Sequence, residues 1–130
     1  MSSIPLVAIV DDDPSVRRAI VALLQATGYR TAAFASAEAY LSSPDCARSA
    51  CLITDMQMPG LSGEDMLRAL SDRGIAVPAI IVTARPDAAC RPRATAASDR
   101  HVLTKPFDPA ALIACVERVL AERRSTDRDP

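Results

Sequence analysis

Leu6-Val7-Ala8-Ile9-Val10-Asp11-Asp12-Asp13-Pro14 is the stretch that decides the fold. Its apolar run is too short for a helix and is bounded by turn formers, the mark of a strand buried on both faces. A helix must follow at once. Asp13 can cap it, Pro14 suits its first position, and Val16, Ala19, Ile20, Leu23 and Leu24 recur at helical spacing before Gly28 stops it. The alternation then repeats, with strands predicted over 29–34, 51–54, 78–82 and 101–104. Helices are predicted over 37–43 after Ser36, over 63–73 up to Gly74, and from Asp108-Pro109 to near Arg123, with Leu112, Ile113, Val116, Val119 and Leu120 inward. Strict alternation of strand and helix implies an α/β fold, a parallel sheet with helices on both faces. The fourth helix, 86–97, contains Pro86 and Pro92 and is expected to be short, kinked or mobile.

At 130 residues the chain has room for one real core. One domain over residues 1–123 is expected, with the polar, patternless 124–130 as a flexible tail or truncated linker. A charged fraction of 24%, a hydrophobic fraction of 49% and a net charge of −1 give no basic excess that would argue for direct nucleic-acid binding. Met1 to Pro5 holds no cationic leader, and no apolar run approaches the roughly 20 residues that span a bilayer, so a cytoplasmic location without membrane contact is expected. Cys46, Cys51, Cys90 and Cys115 form no C-x-x-C pair or zinc spacing, and Cys51 and Cys115 sit in apolar patterns as small hydrophobes.

In open parallel sheets the carboxyl ends of the strands share one edge, where ligands bind. Asp11, Asp12, Asp55, Thr83 and Lys105 all fall at such ends. Lys105 is the only lysine among fifteen Lys and Arg residues, and a compact ammonium reaches into a narrow pocket better than a planar guanidinium does. Asp13 and Asp108 are accounted for as helix caps, but capping does not explain a set of acids joined by one hydroxyl and one ammonium. Crowded carboxylates repel by about 4 kcal/mol per pair at about 4 Å and an effective dielectric near 20, so the cluster calls for a cation. Magnesium, held by one or two carboxylates and a phosphate oxygen, fits, and an aspartate is a competent nucleophile toward phosphorus.

Four motifs carry a resemblance: Val10-Asp11-Asp12-Asp13; Thr54-Asp55-Met56-Gln57-Met58-Pro59-Gly60 with Ser62-Gly63; Val82-Thr83-Ala84; and Lys105-Pro106-Phe107. In this order and spacing the chain resembles, over residues 6–122, the receiver domain of two-component response regulators, and in particular receivers of the nitrogen-fixation type regulators. The resemblance implies a flavodoxin-like (βα)5 fold, doubly wound, with strand order 2-1-3-4-5. It implies that Asp55 takes phosphate from a sensor histidine kinase. Mg2+, with Mn2+ able to substitute, would be held by Asp12, Asp55 and the Gln57 backbone carbonyl, and by Asp11 through water. Lys105, Thr83 and the Ala84 amide would meet the phosphoryl oxygens, and Gln57 and Arg85 would tune dephosphorylation. The chain would be a signalling switch and not an enzyme, with residues 86–122 as a face for homodimerisation or an output partner.

Some positions depart from that pattern. Val102 stands where most receivers carry an aromatic ring, and Ser98-Asp99 replaces the usual small pair before the fifth strand. His101, the single histidine, should face away from Val102 and is read as a surface residue. Arg85, Arg91, Arg93, Arg100 and Lys105 outnumber Asp87 and Asp99 over residues 85–105, which reads as a solvated basic face or as a docking surface for an acidic partner. The alternatives are a degenerate receiver that interacts without phosphate, and an aspartate-based phosphohydrolase, which usually has a second acid where Gln57 stands. A flavin carrier is excluded, because Asp11 to Asp13 would repel its phosphate.

Overall fold

The sequence alternation becomes a single five-stranded parallel sheet in a computed structural model that describes residues 4–56, 60–84 and 100–128. The strands are β1 (Leu6–Val10), β2 (Arg30–Phe34), β3 (Cys51–Thr54), β4 (Ala79–Thr83) and β5 (Arg100–Thr104), in the order β2-β1-β3-β4-β5. The described helices are α1 (Pro14–Ala26), α2 (Ala37–Leu41), α3 (Asp45–Arg48), α4 (Gly63–Asp72) and α5 (Pro109–Arg128). The stretch expected to form the fourth helix, 86–97, lies outside the described residues, as do Ser98 and Asp99.

Central strands buried on both faces need apolar side chains in both directions, and β1, β3 and β4 are buried at every position. On one face, Val7, Ile9, Ile53, Ile80 and Val82 pack against Ile20 and Leu24 of α1 and Leu112, Val116 and Val119 of α5. On the other, Ala8, Val10 and Leu52 pack against Ala37, Tyr40 and Leu41 of α2 and Met66 and Leu70 of α4. Ala19, placed on the inner stripe of α1 by its spacing, is exposed. Cys51 is fully buried, and the half-buried Cys115 packs against the first cluster, so both act as the small hydrophobes expected.

The caps fall where the sequence puts them. Asp13 accepts from the Ser15 amide at 2.9 Å and the Val16 amide at 3.4 Å, with Pro14 next to it. Asp108 accepts from the Ala110 amide at 3.3 Å. Ser62 and Asp65 close a reciprocal box at the start of α4. Two boundaries differ from expectation. The short α3 follows Ser43-Pro44, the same polar-then-proline signature seen at Asp13-Pro14, with the Ser43 hydroxyl accepting from the Asp45 amide at 3.1 Å. The last helix does not end near Arg123 but continues to Arg128, because no glycine or proline interrupts the backbone before Pro130.

His101 also differs from expectation. It is half-buried, not a surface residue, and its Nε2 lies 3.9 Å from Glu122 Oε1 of α5. Val102, alternating to the other face, packs with Met56, Ile81 and Leu67.

Candidate functional site

Parallel register brings the chemistry together. Val10 is paired with Thr54, Thr54 with Ile81, and Thr83 with Thr104, so the residues just past these strands emerge side by side at one edge. Asp11, Asp55 and Lys105 are those next residues, and Thr83 ends β4. The backbone continues the ladder one step further: the Asp55 amide donates to Val10 O at 3.2 Å, the Asp11 amide to Phe34 O at 3.1 Å and the Lys105 amide to Thr83 O at 2.9 Å. These bonds place the three candidate side chains on rigid strand ends.

Lys105 Nζ lies 2.8 Å from Asp55 Oδ2 and 3.2 Å from Asp11 Oδ2, bridging two acids that α1, β2, α2, α3 and β3 separate in the chain. Carboxylate oxygens of Asp11, Asp12 and Asp55 all lie within 4.8 Å of one another, so the three could hold a cation. Their environments differ: Asp11 is 2% exposed and Asp55 9%, while Asp12 is open to solvent. Such an oxygen-only donor set with one open side suits a hard divalent ion that keeps some of its water.

Burial pushes the Asp11 carboxyl above its ordinary value, and the Asp55 charge adds to this, although the Asp13 amide and Lys105 pull the other way. Burial alone would lower Lys105, but its hydrogen bonds to Asp55 and Asp11 outweigh that and raise it, so the ammonium stays charged throughout the neutral range. The Asp13 amide donates to Asp11 Oδ1 at 2.9 Å, and Thr54 Oγ1 donates to Asp55 O at 2.9 Å. Thr83 is buried at the end of β4, its carbonyl accepting the Lys105 amide, and Ala84 follows it into an exposed position. Gln57 and Arg85 lie outside the described residues.

Sequence reading gave no role to three residues that shape the site. Gly63 opens α4 against the Asp55 backbone: a Cβ there would sit 2.5 Å from Asp55 O and 3.0 Å from Met56 Cα. Gly63→Ala is therefore expected to cost about 1–3 kcal/mol through overpacking, read as a lower urea midpoint; an unchanged midpoint would contradict this contact. Glu38 reaches from α2 to accept the Leu61 amide at 3.2 Å, and a Cβ on Gly60 would meet its Oε2 at 2.7 Å. Arg17 donates from Nη1 to Asp11 O at 2.7 Å. Its signal was legible: a cation in the first turn of a helix lies at the unfavourable end of the dipole and calls for a compensating contact.

Comparison with known proteins agrees with this fold. The family described as "Response regulator receiver domain" matches residues 7–117. The transcriptional regulatory protein FixJ of Azorhizobium caulinodans is 34% identical over 122 residues, covering 94% of this chain and 58% of that protein. The chain thus spans little more than half the length of the curated relatives it matches. Among solved structures, a response regulator receiver protein from Burkholderia phymatum is 41% identical with a TM-score of 0.74, covering 90% of this chain and 95% of that one. The crystal structure titled FixJ-N is 30% identical with a TM-score of 0.72, covering 93% and 96% respectively.

Proposed function

Because this chain belongs to the response regulator receiver domains of two-component systems, we propose that Asp55 accepts a phosphoryl group from a sensor histidine kinase and that the aspartyl phosphate repopulates two conformations of the domain. The observation that carries this reading is the Lys105 ammonium held between Asp55 and Asp11 beside a third carboxylate. An Asp55 oxygen attacks phosphorus, the bond from phosphorus to the kinase imidazole nitrogen breaks, and the imidazole leaves with that electron pair. Lys105 then exchanges its contact with the Asp55 carboxylate for one with the phosphoryl oxygens. The Thr83 hydroxyl and the Ala84 amide supply further donors there, acting where negative charge must be met during transfer.

The donor set fits Mg2+, with Mn2+ able to substitute. Asp12, Asp55 and the Gln57 carbonyl would hold it directly and Asp11 through water, and the ion would supply charge neutralisation of the phosphoryl oxygens. Gln57 and Arg85 tune the hydrolysis that resets the switch. Residues 1–123 make up the receiver on this reading, and 124–130 lead out of it. Residues 86–122 are the face for a second copy or an output partner, and the site of action is the cytoplasm. No helix among the described residues is long and apolar enough to cross a membrane. Shifting a 1:99 equilibrium to 99:1 requires roughly 5.5 kcal/mol of differential stabilisation, which bounds what the phosphoryl contacts must provide.

The test is intact mass after incubation with Mg2+ and acetyl phosphate, alongside Asp55→Asn and a sample without magnesium. One added phosphoryl group, lost in both controls, is the expected result. No addition to the parent, together with no binding of beryllofluoride, would replace this reading with that of a phosphate-independent interaction module.

A further inference from the structure

We infer that Arg17 is a positioning residue for the acidic loop after β1, holding the Asp11 to Asp12 peptide so that Asp12 faces the cation site. The inference rests on the phosphorylation reading for its purpose, but its geometry is independent of that reading. Arg17 lies in the first turn of α1, half-buried, and its Nη1 donates to Asp11 O at 2.7 Å. That carbonyl belongs to the planar unit whose other end is Asp12 Cα, so fixing the oxygen fixes the plane from which the Asp12 side chain departs.

The rest of the loop is tied elsewhere. The Asp11 amide is bonded to Phe34 O of β2, the Asp11 carboxylate to the Asp13 amide and Lys105, and the Asp13 carboxylate to the first amides of α1. Each of these bonds lies at or beyond one of the two residues that flank the Asp11 to Asp12 peptide. The Arg17 bond grips the peptide itself. A hydrogen bond from a charged guanidinium is shorter and stronger than one between neutral groups, and in a partly buried setting it is well suited to hold a backbone carbonyl.

The placement also carries an electrostatic consequence. A cation in the first turn opposes the helix dipole, so helix stability alone would favour an acid or a neutral residue there. Arg17 thus serves the loop at some cost to the helix. Groups that orient a metal's ligands commonly change metal affinity by roughly 10- to 100-fold when removed.

The experiment compares the parent with Arg17→Ala and Arg17→Lys by calorimetric titration with magnesium chloride and by amide hydrogen exchange of the metal-free proteins. Arg17→Ala is expected to weaken magnesium binding roughly tenfold and to speed exchange of the Asp13 amide. Arg17→Lys, which keeps a donor and the charge, should stay within about threefold of the parent in both. If Arg17→Ala fails to fold, Arg17→Met preserves the side chain's length and takes its place. Magnesium affinity within about twofold of the parent in the uncharged variant would overturn the inference. So would a loss of affinity with unchanged Asp13 exchange, which would make Arg17 a distant charge and not a support for the loop. A parent that binds no magnesium would count against the phosphorylation reading, and the Asp13 exchange would still decide the role of Arg17.

Discussion

Lys105→Ala is expected to slow phosphorylation by acetyl phosphate by roughly 100- to 1000-fold at saturating magnesium, the effect of deleting one donor aimed at developing charge. The same substitution should destabilise the metal-free domain by about 3 kcal/mol, because it leaves the Asp11 and Asp55 carboxylates facing each other without the ammonium now 3.2 and 2.8 Å away. Both effects have one cause, the charge on Nζ. Added Mg2+ should therefore recover more stability in Lys105→Ala than in the parent, since a cation bound by the same acids takes over part of that neutralisation. Lys105→Arg should recover less of the rate than of the stability. A guanidinium keeps the charge but presents a planar fork where a small ammonium fits between two carboxylates. The checks are single-turnover mass spectrometry and urea titrations with and without magnesium. A Lys105→Ala protein that is phosphorylated at the parental rate would remove Lys105 from the proposed site.

Asp11→Asn is expected to shift stability the other way while weakening magnesium binding by roughly tenfold or more, the loss of a charged group that orders the ion's surroundings. Burial raises the Asp11 carboxyl above its ordinary value, with Asp55 adding to the effect, so the native state holds the Asp11 proton more tightly than the unfolded state does. More protons are then bound in the native state than in the unfolded state once pH passes the unfolded value of 3.8, and stability falls as pH rises through the window up to the raised native value. Below the unfolded value that contribution is fully present. The asparagine has no such proton to lose, yet its side-chain oxygen can still accept from the Asp13 amide, and Lys105 keeps Asp55 as a partner. In the absence of magnesium, Asp11→Asn should melt above the parent at pH 7, with the gap closing as pH falls toward the ordinary aspartate range. Thermal melts across pH 4–8 would show this; a gap that is constant with pH would rule out Asp11 titration as its source. A gain in stability with a loss of ion binding is the usual price of relieving crowded charge at a functional site.

The Tyr40 phenol shows the same physics in a residue with no part in the site. It is fully buried, donates to Ser49 Oγ at 2.9 Å, and Ser49 in turn donates to Asp45 O at 2.6 Å. Burial pushes the phenol up to about 12. The chain Tyr40-Ser49-Asp45 fastens α3 onto α2, which explains how so short a helix is held in place.

The local chemistry of the sequence determined the element types, the caps and which candidate residues stand at the strand ends. Apolar runs too short for helices, Asp13-Pro14 and Asp108-Pro109 at helix starts, and Gly28 and Gly74 at helix ends each act through bonds a few residues long, so they could be read without knowing the fold. The same holds for Asp11, Asp12, Asp55, Thr83 and Lys105, because every parallel strand ends at the same edge. Tertiary packing decided what depends on residues far apart in the chain. The side of β5 on which His101 meets Glu122, the exposure of Ala19 and the space that only Gly63 can fill beside Asp55 all follow from which surfaces meet. Periodicity places a side chain on a face of its own element, but the identity of the group opposite, and so its burial, charge and hydrogen bonds, exists only once the elements have packed.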